Sequence, residues 1–191
     1  ADELDVMRKS LAMRRELPPG FLVDSIMQAP SKNIMNKLAR SILSLYSYDD
    51  DPEHPSLEGE MRIALGLIAK MPILMDGAYQ AKRHKFDNAI RNDRNYTKEE
   101  AQLLDIMLSI HAEHGGGNNS TFACRVATSS GTDPYAAYTT AINSLKGSRH
   151  GGANIKVVQM LDCIKENVKN WGNRGEVADF ITKILKKDAG D

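Results

Sequence analysis

Cysteine is almost missing from this sequence: Cys124 and Cys163 are the only two in 191 residues. Two isolated thiols build neither a disulfide framework nor a zinc site, and they suit a reducing compartment. Charge of either sign is not in excess, because 25 Lys and Arg are balanced by 25 Asp and Glu. No net field therefore draws the chain to nucleic acid or to an anionic membrane. Long apolar runs are lacking too: none approaches the roughly 18 residues of a membrane span, and no signal peptide opens the chain. A cytoplasmic location is the expectation. Alternating strand patterns, repeats and low-complexity segments are also absent. What remains is a chain with 41% hydrophobic residues, enough for one core or for one domain and part of another. It starts Ala1-Asp2-Glu3 without an initiator Met and stops at Asp191 just after a helical pattern, so both ends read as cuts within a longer protein.

The apolar residues present recur at helical steps, which predicts an all-α fold. Residues 3–15 carry a loose helical spacing, broken by Pro18-Pro19-Gly20. A short helix follows around Phe21–Met27. Ser31 is expected to cap a helix bearing Ile34, Leu38, Ile42 and Leu45. The acidic loop Asp49-Asp50-Asp51-Pro52-Glu53-His54-Pro55 lacks the glycine and ligand spacing of a calcium loop and is expected to be a solvated turn. Ser56 can cap the next helix, 57–85, which Pro72 interrupts. On it Met61, Ala64, Leu65, Ile68, Met71 and Met75 form an apolar stripe expected to face the core. The basic stretch Arg83–Arg94 reads as a surface loop. Thr97-Lys98-Glu99-Glu100 reads as a capping box opening a helix that ends at His111 and His114. Asp133 and Pro134 supply an N-cap and a first helical residue, and amphipathic helices continue toward residue 185.

Chemistry concentrates between His111 and Asn154, where three of the five histidines stand beside two glycine-rich turns. His111 and His114 are three apart and share one side of a helix end. They can be structural, with one imidazole bonding a backbone carbonyl. They can form an anion site, since a cationic His is favoured at a helix C-terminus and Asn118, Asn119 and Ser120 add donors. They can also begin a zinc site, though no matching carboxylate or cysteine spacing completes it. His150 differs, because it directly precedes a helix start. There, unpaired N–H groups disfavour an extra proton, so a neutral imidazole is expected. Such a group can hydrogen-bond a carbonyl oxygen while a neighbouring C–H bond breaks. Gly151 and Gly152 would let a substrate approach the backbone. A histidine merely capping a turn is the alternative.

These residues resemble a known family. His111-Ala112-Glu113-His114 followed by Gly116-Gly117-Asn118-Asn119-Ser120 is similar to the first histidine motif of citrate synthases. Asp133-Pro134-Tyr135 and then Lys146-Gly147-Ser148-Arg149-His150-Gly151-Gly152-Ala153-Asn154 resemble the second. Arg15-Glu16-Leu17-Pro18 and the Pro72 helix are weaker matches in the right order. The resemblance implies an all-α homodimer that condenses acetyl-CoA with oxaloacetate and water, giving citrate and CoA, with no metal and no cofactor. It implies that residues 1–150 belong to the large, dimer-forming helical domain and that 151–191 begin the small domain. His150 matches the catalytic histidine that hydrogen-bonds the thioester carbonyl. His114 matches the oxaloacetate-binding histidine, and Asn118 matches a substrate-binding position. His111, Ser120, Gly151, Gly152 and Asn154 match supporting positions. Glu113 stands where the family more often has Asp. The family's third histidine motif, the aspartate that takes the acetyl proton and the arginines that clamp oxaloacetate are all absent here. The chain is therefore expected to be a fragment, inactive by itself. A 2-methylcitrate synthase using propionyl-CoA, and a non-catalytic helical interaction module on the same scaffold, are the alternative readings.

Overall fold

The computed structural model describes residues 2–53, 56–82, 96–112 and 115–188. His54 and Pro55 of the acidic loop, the basic stretch 83–95, and Glu113 and His114 of the first histidine motif lie outside the described residues. Every regular element among the described residues is helical, as the periodicity predicts. The chain divides into two compact units, Ala1–Leu145 and Lys146–Asp191, whereas the sequence reading drew its boundary after residue 150.

In the first unit, helix α1 (Asp2–Met13) carries Asp2, Glu3 and Asp5 in its first turn, at the positive end of the helix dipole. Gly20 turns the chain at φ +77° and delivers Phe21, which is fully buried. The short helix that follows, Leu22–Met27, is π-helical. Lys37, itself buried, donates from its ammonium to the carbonyls of Ser25 and, at 2.8 Å, Ala29. Burial, with the charge of Arg40 adding to it, pushes the Lys37 pKa down to about 8.

Helix α2 (Ile34–Leu45) is capped by Asn33, whose side chain accepts from the Asn36 amide at 2.9 Å. Ser31 is not the cap: it sits two residues earlier and accepts from the Asn33 amide instead. Leu38, Ile42 and Leu45 recur at three- and four-residue steps and are buried together. A single 3₁₀ turn, Tyr46–Tyr48, leads to Asp49. Ser56 caps helix α3 (Leu57–Lys82) through the Gly59 amide. This helix runs through Pro72.

The apolar stripe expected on α3 is corrected in part: Met71 packs against the core and Ala64 and Leu65 are half-buried, but the other three do not face it. Ile63, Leu67, Leu74, Ala78 and Ala81 face the core, while Met61, Ile68 and Met75 are about half exposed. The helix is apolar on most of its circumference, so spacing alone does not choose which face is covered. Packing against α2 and the π-helical turn chooses it. At Gly77 the turn comes so close that a Cβ would stand 2.7 Å from Leu22 Cδ1.

Helix α4 (Lys98–His111) opens with the expected capping box: Glu100 N donates to Thr97 Oγ1 at 3.1 Å, and Thr97 N donates to Glu100 Oε2 at 2.7 Å. None of its residues is buried. Helices α5 (Asn119–Ser129) and α6 (Pro134–Leu145) form an antiparallel hairpin, and α6 also packs across α2. Asp133 caps α6 by accepting from the Ala136 amide at 2.9 Å.

In the acidic loop Asp50, Asp51 and Glu53 are exposed, as expected of a solvated turn, but Asp49 is not. Asp49 has a side chain only 8% exposed. Its carboxylate accepts from the Tyr135 hydroxyl at 2.6 Å and lies 3.0 Å from Arg62 Nη1. Burial alone would raise this carboxyl, but the Tyr135 hydroxyl, the Asp51 amide and Arg62 outweigh it and hold the pKa below 3.8. Burial and the bond to Asp49 push the Tyr135 phenol far above its usual range. One ion cluster thus joins the turn after α2, helix α3 and helix α6 to the core.

The second unit holds α7 (Ala153–Asn167) and α8 (Arg174–Leu185). Asn173 caps α8 by accepting from the amides of Gly175 and Glu176. Ile164 and Val168 are its buried apolar residues. No helix among the described residues of either unit is long and apolar enough to cross a membrane.

Candidate active site

The first histidine motif is built at the junction of α4 and α5. His111 closes α4, exposed, with Nδ1 2.6 Å from the carbonyl oxygen of Met107. That is the carbonyl-bonded structural role anticipated for one of the pair. His114, the partner expected to bind oxaloacetate, lies outside the described residues. Gly115 takes φ +75°, a conformation that L side chains rarely adopt, and its carbonyl accepts from the Asn118 amide at 3.3 Å. Asn118 is the N-cap of α5: its side-chain oxygen accepts from Ser120 N at 2.9 Å and Thr121 N at 3.4 Å. The Asn118 oxygen is therefore engaged by backbone, leaving its amide NH₂ as the group that faces outward chemically. Ser120 is half-buried on the first turn of α5.

Asn119 Nδ2 donates at 2.6 Å to Ser144 Oγ, tying the start of α5 to the last turn of α6. Arg125 was not singled out by the sequence reading. It lies seven residues, two helical turns, beyond Asn118 and therefore on the same face of α5. Its Nη1 stands 3.2 Å from where a Cβ on Gly116 would be. The signal was present in the spacing, because long side chains on a helix lean back toward its N-terminus.

The part of the second motif from Lys146 to Asn154 is built within the other unit. His150 N donates to Gly147 O at 3.0 Å, Gly152 N to the same oxygen at 3.3 Å, and Ala153 N to His150 O at 3.1 Å. These bonds wind residues 147–152 into a compact turn that runs directly into α7. His150 is half-buried within it. Gly152 is required by space, since a Cβ there would collide with the Ser148 carbonyl oxygen and stand 2.8 Å from Ser148 Cα. Gly151 precedes it, and Asn154 lies exposed in the first turn of α7. His150, Gly151, Gly152 and Asn154 are thus brought onto one turn.

No group of three or more His, Cys, Asp or Glu side chains among the described residues is arranged to hold a metal ion. A cavity of about 500 Å³ in the first unit is lined by Tyr135 of the second motif but by none of the candidate site residues. It is lined by Arg14, Tyr48, Asp49, Arg62, Lys70 and Tyr135, among others. Its cations are already engaged: Arg62 with Asp49, Lys70 with the Arg14 carbonyl at 2.8 Å, and Arg14 with Ser10. It is a packing feature around the Asp49 cluster.

The two motifs thus lie at a glycine-rich turn leading into α5, which Asn118 caps, and at the His150 turn ahead of α7. The family model for the citrate synthase C-terminal domain matches residues 1–190. The chain belongs to the citrate synthase family. It is 31% identical to a citrate synthase of Haloferax volcanii, over 96% of this chain and 55% of that protein. It is 37% identical to a citrate synthase of Synechocystis, over 72% of this chain and 38% of that protein. A citrate/2-methylcitrate synthase of Bacillus subtilis is 28% identical over 83% of this chain and 46% of its own length. The chain spans about half the length of these relatives or less. The family is one of acyl-transferring enzymes, and its all-helical architecture is the one seen here.

Proposed function

We propose that the protein carrying this chain is a citrate synthase, joining the methyl carbon of acetyl-CoA to the keto carbon of oxaloacetate and hydrolysing the thioester to release citrate and CoA. The observation that carries the reading is the His150 turn, whose three backbone bonds and obligatory Gly152 hold an imidazole at the entry to α7. In this role His150 donates to the thioester carbonyl, so that negative charge forming on that oxygen during enolisation is stabilised. His114 and Asn118 bind the keto acid, with His111, Ser120, Gly151, Gly152 and Asn154 supporting the two turns. The aspartate that takes the acetyl proton in the family has no match among the motifs present. Turnover is therefore expected of a longer chain that supplies it, and not of these 191 residues. The large-domain and small-domain assignment, 1–150 and 151–191, and a homodimer belong to the same proposal. Support for the dimer comes from the exposed apolar residues of α4 and α5, Leu103, Leu104, Leu108, Ile110 and Phe122 among them.

CoA release from acetyl-CoA and oxaloacetate tests the reading, measured on the 191-residue chain and on the longer protein, each with and without His150→Ala. The longer protein is expected to turn over and to lose about 10²- to 10³-fold in kcat on losing the donor. A longer protein that binds neither substrate sinks the proposal. Propionyl-CoA as the acyl donor, giving 2-methylcitrate, is the second reading. It is favoured by the relatives, since the Bacillus subtilis protein is named for both products and a Yarrowia lipolytica one for 2-methylcitrate alone. The ratio of kcat/KM for the two acyl-CoA substrates decides between them.

A further inference from the structure

We propose that Asn119 is a positioning residue for the keto-acid substrate, setting the first turn of α5 through its hydrogen bond to Ser144; the inference rests on the citrate synthase reading above. Asn118, Asn119 and Ser120 are consecutive, and their spacing alone offers all three as donors to an anion. The structure gives the two asparagines different tasks. Asn118 caps the helix through its side-chain oxygen and keeps its amide hydrogens for a substrate. Asn119 instead donates from Nδ2 to Ser144 Oγ at 2.6 Å, across 25 residues of sequence. The surroundings of this turn give that bond its weight. Upstream stand Gly115, Gly116 and Gly117, a run with wide backbone freedom, and a Cβ on Gly117 would meet nothing within 4 Å. No residue of α4 is buried. On α5 itself Thr121 and Phe122 are exposed, and the half-buried Ala123, Cys124 and Ala127 lie a turn or two further along. Ser144 stands on firmer ground, because α6 packs on both α5 and α2 and buries Tyr135, Ala137 and Thr139. An amide anchored to that helix holds Asn118 and Ser120, its neighbours on either side, in register with a bound substrate. Such donors lose their grip once displaced by about 0.5 Å.

The test uses the longer protein, with calorimetric binding of oxaloacetate and steady-state kinetics read side by side. Asn119→Ala and Ser144→Ala are each expected to raise the oxaloacetate Kd and KM by about 3- to 10-fold, the worth of one neutral hydrogen bond. The double variant should be no weaker than the worse single one, because both changes remove the same bond. The KM for acetyl-CoA should stay within about twofold. Ser144→Thr keeps the hydroxyl and should keep the wild-type Kd. Circular dichroism confirms that each variant folds, and Asn119→Leu, of similar size and without a donor, replaces Asn119→Ala should that variant not fold. Thermal unfolding separates positioning from mere support: a lowered midpoint with an unchanged oxaloacetate Kd overturns the assignment. So does a loss in Asn119→Ala that Ser144→Ala does not share, which would make Asn119 a direct donor to the substrate. Additive losses in the double variant, or a Ser144→Thr as weak as Ser144→Ala, overturn it as well. A wild-type protein that binds oxaloacetate without condensing it overturns the reaction, and the binding data then judge Asn119 separately. A wild-type protein that does not bind oxaloacetate overturns both.

Discussion

The Tyr135 hydroxyl donates a 2.6 Å hydrogen bond to Asp49 Oδ2, joining residues 86 apart in sequence. The bond fastens the start of α6 to the turn after α2. Replacing Tyr135 with Phe keeps the ring in the core and removes only this donor, while Asp49 retains Arg62. A loss of about 1.5 kcal/mol is expected, the low end for a hydrogen bond to a charged group. Urea unfolding of the chain checks it. A midpoint equal to wild type would show that Arg62 alone satisfies Asp49.

Because the folded Asp49 carboxyl lies below its ordinary value of 3.8, it contributes stability that is fully present above that pH. Between the folded and unfolded values the unfolded chain binds the extra proton, so this stability is lost as pH falls through the folded value. Unfolding measured from pH 6 down to pH 2 should show a slope that flattens in Asp49→Asn. Equal slopes in the two proteins would remove Asp49 from the acid response.

Two glycines on α3 predict opposite outcomes for the same substitution. A Cβ on Gly66 meets only Lys70 Nζ, at 3.8 Å, so Gly66→Ala should stabilise by up to about 1 kcal/mol through helix propensity. A Cβ on Gly77 would stand 2.7 Å from Leu22 Cδ1, and overpacking there should outweigh the propensity gain and destabilise by about 1 kcal/mol. Thermal unfolding of the pair measures both signs. Stabilisation at both positions would mean that the π-helical turn shifts freely.

The His150 turn should fail on Gly152→Ala, whose Cβ runs into Ser148 backbone. Amide exchange should become faster at His150, Gly152 and Ala153 as the turn opens. By contrast, Gly117→Ala has nothing within 4 Å and should leave exchange around Asn118 unchanged. Protected amides in Gly152→Ala would show that the turn relaxes without opening.

Along α4, Leu103, Leu104, Leu108 and Ile110 are each between 57% and 70% exposed. Contiguous exposed apolar surface of this kind drives association. The isolated chain is expected to self-associate or aggregate with rising concentration, and Leu104→Gln with Leu108→Gln should suppress it. Sedimentation velocity showing a wild-type monomer at high concentration would contradict the expectation.

Much of the architecture was legible residue by residue. The Thr97–Glu100 capping box, the Asp133 cap and the glycine turns depend on groups within about four positions of each other, so their pattern survives in the sequence. Missing from that reading were the face of α3 that is buried, the role of Asp49 and the reach of Arg125. Met61, Ile68 and Met75 follow a helical step as well as Ile63, Leu67 and Leu74 do. Asp49 looked like one acid among several in a turn, because its partners arrive from α3 and α6. Asn33 rather than Ser31 caps α2, a two-residue choice between equally suitable side chains.

The sequence by itself determined the helices, most of their caps and the two histidine motifs, because each rests on short-range hydrogen bonds and on backbone shapes open to glycine. Tertiary structure alone decided which apolar faces are covered, that Asp49 is a buried anion, and that the Arg125 guanidinium reaches Gly116. Those outcomes depend on which segments meet across tens of residues, and burial and Coulomb interaction act only once they have met.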